Sequence, residues 1–336
     1  MKKLLLVLLL LILVFTGCTP KAPVEEDNKE FDKVTVFFVP SRDPQQITVQ
    51  TEPLKQLIID EMATHGYTIE EVDIQVSPNY EAAGEALEAG QAHIAFIPAS
   101  TYALYSGPNI DVILAASRDG LNKDSVNAKD WNDGEPTLPV EEQVTFYRAL
   151  IYAGTSEKGR ELAAKVNAGE DLTWEDLNSA NWCRANTTSS AGFIYPSLWL
   201  AERYDGKMVS DVANTVEGSY AETANRLAIG QCDVGVGYAD IRRDYAGQWV
   251  DDWGKTDIWT ETDVIGVTDP IMNDTISVSN ALVDADMKKA LQKTFIAIAK
   301  TQAGLDAIEI YNHTGYKEVT DADYEPSRKI LELLND

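Results

Sequence analysis
Residues 79–91, Asn-Tyr-Glu-Ala-Ala-Gly-Glu-Ala-Leu-Glu-Ala-Gly-Gln, return at residues 219–231 as Ser-Tyr-Ala-Glu-Thr-Ala-Asn-Arg-Leu-Ala-Ile-Gly-Gln. Tyr80 and Tyr220, Leu87 and Leu227, Gly90 and Gly230, and Gln91 and Gln231 coincide at one constant offset. Each copy opens on a capping residue, runs as a short helix and stops at a glycine. Each then feeds an apolar run, His93–Ile97 in the first and Asp233–Tyr238 in the second. The same order of cap, helix, stop and strand met twice predicts two units of like topology.

Working outward, residues 34–39 (VTVFFV) read as a buried strand. Thr51-Glu52-Pro53 is expected to open a helix with stripe Leu54, Leu57, Ile58 and Met62, ended by Gly66. Val72–Val76, Asp111–Ala116, Phe146–Ala153 and Trp182–Ala185 read as further strands, and Thr173 as a helix cap. Residues 117–145 carry Gly, Asn, Asp and Pro without an apolar period and read as a long loop or insertion. Repeated βαβ units predict a mostly parallel sheet with helices on both faces. The fold class is therefore α/β: two doubly wound lobes with a hinge and a ligand cleft, ligands lying beyond the C-terminal strand ends. The expected division is lobe one at 31–117 plus 263–336, the insertion at 118–145, and lobe two at 146–262.

The chain has 336 residues, 28 basic and 54 acidic, for a formal charge of −26. Such a field excludes nucleic acid and an anionic membrane surface as partners. It leaves room for a small anion held by backbone N–H groups. Three cysteines and three histidines are too few and too scattered for a structural zinc site, and no metal or cofactor is expected.

Met1-Lys2-Lys3 followed by the apolar run Leu4–Phe15 fits a secretory signal, too short for a membrane span of about 20 residues. Phe15-Thr16-Gly17-Cys18 resembles the bacterial lipobox, in which the cysteine is diacylated and becomes the new N-terminus. The expectations are a signal peptide at 1–17, lipidated Cys18, and a flexible tether at 18–30. A plain secretory signal cut nearby is the other reading.

No HExxH, no GxSxG and no Gly-rich loop ending in Lys-Ser/Thr occurs. The Gly235-Val236-Gly237 pair reads as close backbone packing on a strand. His65, His93 and His313 sit singly in the sequence, and an enzyme is not expected.

Asn186-Thr187-Thr188-Ser189-Ser190-Ala191-Gly192 lies between a strand and a helix. Consecutive hydroxyls, with the free N–H groups and dipole of the first helical turn, make an anion cradle. A single hydroxyl would serve as an N-cap; four exceed that need.

Residues 189–196 (SSAGFIYP) resemble the Ser-Thr-Ser-Gly-x-x-x-Pro signature of phosphonate-binding proteins of ABC importers. Residues 36–41, Tyr80 with residues 88–96, Ser219-Tyr220 and residues 270–274 (PIMND) are similar to further segments of that family. The resemblance implies a type II periplasmic-binding fold that closes on a small phosphorus oxyanion: phosphonate, phosphite or phosphate. It implies an ABC permease and ATPase as partners, a monomer, and a place on the extracytoplasmic face of the cell membrane through the lipid anchor only. Ala191 stands where the signature has a hydroxyl. A surface receptor or enzyme on the same fold, acting on another small anionic or amine-bearing ligand, is the alternative.

Within that frame Ser189, Ser190 and Thr188 are expected to donate to the ligand. Tyr80 and Tyr220 head equivalent helices and either line the cleft or pack as staples. Ser100, Thr101 and Tyr102 follow a strand end and are placed at the cleft. Asp240 is a candidate for a ligand amine, and Glu222 a partner of Ser219 in a capping box. Ser41 and Arg42 follow the first strand, Arg42 suiting either an anion or the open surface. Cys183 and Cys232 fall on the first and third strands of lobe two. A doubly wound sheet makes these strands neighbours within disulfide reach; two buried thiols are the alternative.

Overall fold
The computed structural model describes residues 29–335. The signal segment, Cys18 and the tether up to residue 28 lie outside the described residues. The expected tether overlaps the fold by one residue, because Glu30 already opens β1 (Glu30–Phe38).

Two sheets carry the molecule. The first begins with β1, β2 (Thr68–Val76), β3 (Ile94–Ile97), β4 (Ile110–Leu121) and β5 (Pro139–Val144). The second holds β6 (Phe146–Ala153), β7 (Asn181–Arg184), β8 (Asn214–Glu217), β9 (Val234–Tyr238) and β10 (Asp263–Met272). The chain then returns to the first with β11 (Thr275–Ser279) and β12 (Gly315–Glu318). Their orders are β12-β4-β11-β3-β1-β2, with β5 on β4, and β10-β6-β9-β7-β8.

The sheets are mixed rather than mostly parallel. In the first, β1 pairs parallel with β2 and β3, and in the second β7 pairs parallel with β8 and β9. The remaining partners run antiparallel. The reason is that the chain changes sheet twice, and each return strand arrives from the opposite end. Each sheet is buried on both faces, which explains the apolar runs at 34–39 and 146–153.

Three boundaries differ from the sequence reading. The first helix spans Pro44–Thr64 and does not open at Thr51. Asp43 caps it by accepting from the Gln46 N–H at 2.9 Å, and Pro44 sits in the first turn. Pro53 therefore lies inside the helix, at a cost of about 3 kcal/mol. Burial of Ile47, Leu54, Ile58 and Met62, at about 1.5–3 kcal/mol each, outweighs it.

The second difference is the 118–145 insertion. β4 runs on to Leu121 and pairs with β5, so its two ends form an antiparallel ribbon. Trp131, fully buried, pins the segment between them onto the core of the second sheet. The third is the return crossover. β10, expected in lobe one from residue 263, pairs with β6 in the second sheet. The crossing falls at Asn273-Asp274, where the Asn273 side chain donates to the carbonyls of Ala116 (2.9 Å) and Val144 (3.2 Å).

Cys183 in β7 and Cys232 just before β9 are joined by a disulfide with a Cα–Cα distance of 5.8 Å.

Candidate functional site
The two halves meet along the C-terminal ends of β1, β3, β4, β7 and β9. There lies a cavity of about 40 Å³ lined from the first half by Ser41, Arg42, Tyr80 and Arg118, and from the second by Tyr147, Ser189, Ser190, Tyr220 and Tyr238. Asp274 and Tyr311 complete it. One water needs roughly 10–15 Å³, so the space suits a molecule of a few heavy atoms.

The cradle is built by a turn that the sequence specifies locally. β7 ends at Arg184, Ser189 is extended (φ −72°, ψ 121°), and one π turn, Ser190–Ile194, leads into the helix Tyr195–Arg203. The Ser189 hydroxyl accepts from the Gly192 N–H (3.2 Å) and bonds the Tyr220 hydroxyl (2.9 Å). Tyr220 reaches it from the start of the helix Tyr220–Ala228, whose cap Ser219 forms a capping box with Glu222. The turn passes so close to β7 that a Cβ on Gly192 would overlap that of Ala185 and press on Ser189 Oγ at 3.0 Å. We expect Gly192→Ala to cost about 1–3 kcal/mol of stability and to weaken ligand binding as the cradle shifts. Thermal unfolding with calorimetric titration checks both, and an unchanged affinity would refute the coupling.

Ser190 faces the other half. Its hydroxyl lies 2.6 Å from that of Ser100 and accepts from the Ser100 N–H at 3.3 Å. Ser100 also donates to the Thr188 carbonyl (2.9 Å), and Thr101 approaches the same oxygen at 3.5 Å. Ser100 and Thr101 thus grip the cradle from outside and do not line the cavity. Thr188 turns its hydroxyl to Asn186 Oδ1 (2.8 Å), away from the cavity. Tyr102 points elsewhere, donating to Asp321 (2.6 Å) and packing on Tyr324. Asp240 borders a separate cavity of about 280 Å³ behind Arg118 and Tyr147. Ser41, Ser189, Ser190, Tyr80 and Tyr220 are the sequence candidates that converge.

Two arginines supply the charge: Arg42, which the sequence offered for either an anion or the open surface and which lines the cavity, and Arg118, which it did not single out. Each nitrogen of Arg42 is engaged: it donates to Asp244 (2.7 Å), to the Ile310 carbonyl (3.1 Å) and to the Tyr238 hydroxyl. Arg118 is different. It is 7% exposed, stacks on Tyr147 at 4.5 Å, and comes no nearer to a carboxylate than 3.7 Å from Asp240. Among the described residues its guanidinium makes no hydrogen bond, and its Nε is buried without a partner. A buried cation with unused donors is costly unless something accepts from it.

Burial pushes the phenols of Tyr80, Tyr147, Tyr238 and Tyr311 well above their usual range, and that of Tyr220 up to about 12. They are neutral hydroxyl donors. Burial would raise Asp274, but its bond to His313 and the charges of Arg118 and Arg42 hold it below the usual carboxylate range. His313 is pushed down by burial. No group of three or more His, Cys, Asp or Glu placed to hold a metal occurs among the described residues. The one local signal for Arg118 is its position two residues past the strand read at Asp111–Ala116; β4 itself continues to Leu121.

Residues 36–324 match the family model described as "ABC transporter, phosphonate, periplasmic substrate-binding protein". No curated protein sequence matches the chain. Among solved structures it is similar to a binding protein component of an ABC phosphonate transporter from Pseudomonas aeruginosa: 13% identity, TM-score 0.62, 90% of this chain and 86% of that one. PhnD1 from Prochlorococcus marinus, solved with methylphosphonate, aligns at 13% identity and TM-score 0.62 over 90% and 98% of the two chains. XAC2383 from Xanthomonas citri, solved with chloride, aligns at 13% identity and TM-score 0.63 over 90% and 98%. At these identities the likeness establishes the fold.

Proposed function
The chain belongs to the phosphonate family of periplasmic substrate-binding proteins of ABC transporters, and from that premise we propose that it captures a small phosphorus oxyanion in the cavity between its two sheets. The observation that carries the reading is Arg118, a buried guanidinium with free donors at a cavity sized for a few heavy atoms. Ser189, Ser190 and the surrounding phenols supply neutral donors around it. Hydrogen bonds to a charged group are worth about 1.5–3 kcal/mol each. A cavity closed from water strengthens them further.

The role is transport rather than catalysis. Among the described residues neither Ser189 nor Ser190 has a histidine as a hydrogen-bond partner to activate its hydroxyl as a nucleophile. The two sheets act as lobes hinged at the crossings near residues 145 and 273. Diacylated Cys18 tethers the monomer to the outer face of the membrane, where two acyl chains anchor stably and one does not. The motif at residues 15–18 supports that anchor.

Titration of the mature chain with phosphate, phosphite, methylphosphonate and 2-aminoethylphosphonate tests the reading. A ligand present at 100 times its Kd stabilises by about 2.7 kcal/mol. Ser189→Ala with Ser190→Ala is expected to weaken the best ligand at least about tenfold with folding intact. If the double variant binds as tightly as wild type, the cradle assignment is wrong.

A further inference from the structure
Tyr102, expected at the cleft, is instead the fastening point of the C-terminal segment. Its hydroxyl donates to Asp321 at 2.6 Å, and its ring meets that of Tyr324 edge-on at 5.0 Å. Tyr324 is fully buried in a core of the first half that also holds Ala83, Leu87 and Ile110. The turn Asp321–Tyr324, held by a capping box between Thr320 and Asp323, passes directly into the helix Glu325–Asn335.

That helix has two working faces. Arg328 turns to the first half. It donates to the Ser106 hydroxyl (2.9 Å), at the end of the helix Ala99–Tyr105, and to the carboxylate (2.9 Å) and carbonyl (2.9 Å) of Asp321. Ser327, Ile330 and Leu331 fall on one stripe at i, i+3 and i+4. Ser327 is buried against Tyr195, the first residue of the helix that leaves the cradle. Ile330 and Leu331 pack, half-buried, on the core of the second half. The chain thus reaches from one half to the other a third time, apart from the crossings near residues 145 and 273.

The two helices that it joins are the two that meet at the cavity. Ala99–Tyr105 brings Ser100 to Ser190, and Tyr195–Arg203 runs off the turn that carries Ser190. A swing that parts Ser100 from Ser190 must also pull the C-terminal helix from one of its two beds. The beds are unequal. Tyr324 is fully buried, whereas Ile330 and Leu331 are half-buried, so the grip on the second half is the one that yields.

We infer that the helix Glu325–Asn335 is a strap: anchored in the first half by Tyr324, it grips the second through Ile330 and Leu331 and raises the population of the shut form before any ligand arrives. This rests on the reading of the two sheets as hinged lobes and names what regulates the hinge. A strap acts on the balance between open and shut forms rather than on the ligand, so it scales the affinity for every ligand by one factor.

Two variants of the mature chain test this against wild type, by small-angle X-ray scattering and calorimetric titration. One ends at Glu325. The other, Ile330→Asp with Leu331→Asp, keeps Arg328 and the length of the helix and loses only the apolar grip. Both are expected to show a larger radius of gyration without ligand, which saturating methylphosphonate returns to that of bound wild type. Both bind methylphosphonate and phosphate at least about fivefold more weakly, with the ratio of the two affinities within about twofold of wild type. A ligand-free radius unchanged in both variants overturns the strap. So does an affinity ratio moved by more than about threefold, which would make the helix part of the shape of the site. Radii that bound ligand leaves unchanged in wild type and variants alike remove the hinge itself, and the strap with it. Binding of neither probe removes the oxyanion reading, while the ligand-free radii still decide for or against the strap.

Discussion

Arg118→Met raises the Kd for methylphosphonate by at least about 100-fold while leaving the unfolding temperature of the ligand-free protein unchanged or slightly higher. The first half follows from the charge. Two hydrogen bonds from a guanidinium to an oxyanion are worth about 1.5–3 kcal/mol each, and the lower bound for the pair already exceeds the roughly 2.7 kcal/mol of a hundredfold change. The second half follows from what Arg118 lacks. It makes no hydrogen bond among the described residues, and its nearest carboxylate, Asp240, keeps Arg243 at 3.2 Å when Arg118 is gone. Replacing a poorly partnered buried ion by an apolar side chain of similar volume is neutral or stabilising. Met also keeps contact with the Tyr147 ring, on which Arg118 stacks. Isothermal titration and thermal unfolding of the same preparation separate the two effects. An affinity within threefold of wild type would remove Arg118 from the site.

Replacing both Cys183 and Cys232 by alanine lowers stability by about 4 kcal/mol. The bond closes a loop of sequence separation 49, and the chain-entropy relation gives that figure for a loop of this length. It also ties β7 to the segment entering β9, parallel neighbours in the second sheet. In an unfolding unit of about 150–250 residues each kcal/mol moves the midpoint by roughly 2–4 °C, so the transition of the half that holds the bond falls by about 8–16 °C. Differential scanning calorimetry of the double variant measures it, with reductant on wild type as a second route. A shift below 2 °C in both would show that the loop is already constrained by packing.

Elements whose signal is local were legible in the sequence. β6 spans the apolar run 146–153 residue for residue, and the helix Tyr80–Glu88 begins where Asn79 caps it, its side chain accepting from the Ala82 N–H at 2.8 Å. The helix Glu157–Ala168 went unread because its buried face is only Gly159, Leu162 and Ala163, too few apolar residues to show a period. The ribbon of β4 and β5 was hidden because β5, PVEEQV, is mostly exposed and gets its register from β4 rather than from its own pattern. The site divides the same way. A hydroxyl-rich turn between strand and helix announces itself, so Ser189 and Ser190 were found. Arg118, Tyr147, Tyr238, Asp274 and Tyr311 come from separate strand ends and crossings, and only tertiary packing brings them to one cavity. Tyr102 shows the converse: it was placed at the cleft because it follows a strand end, but it lies in the helix Ala99–Tyr105 and its hydroxyl is drawn off by Asp321.

Ser100 and Arg42 reach across from one half to the other and bond Ser190, Tyr238 and Asp244 directly. In the hinged reading proposed above, these links use protein atoms only, so they lower the free energy of the shut form by an amount that owes nothing to cargo. Each such link is worth roughly 1 kcal/mol, more where an ion is involved. A larger intrinsic population of the shut form raises apparent affinity in direct proportion. It equally raises the number of empty molecules that present the importer with the outline of a full one. The count of cross-cleft links therefore sets a trade between scavenging at scarcity and idle docking when supply fails. Ser100→Ala would shift that balance towards fewer false arrivals at the cost of weaker capture.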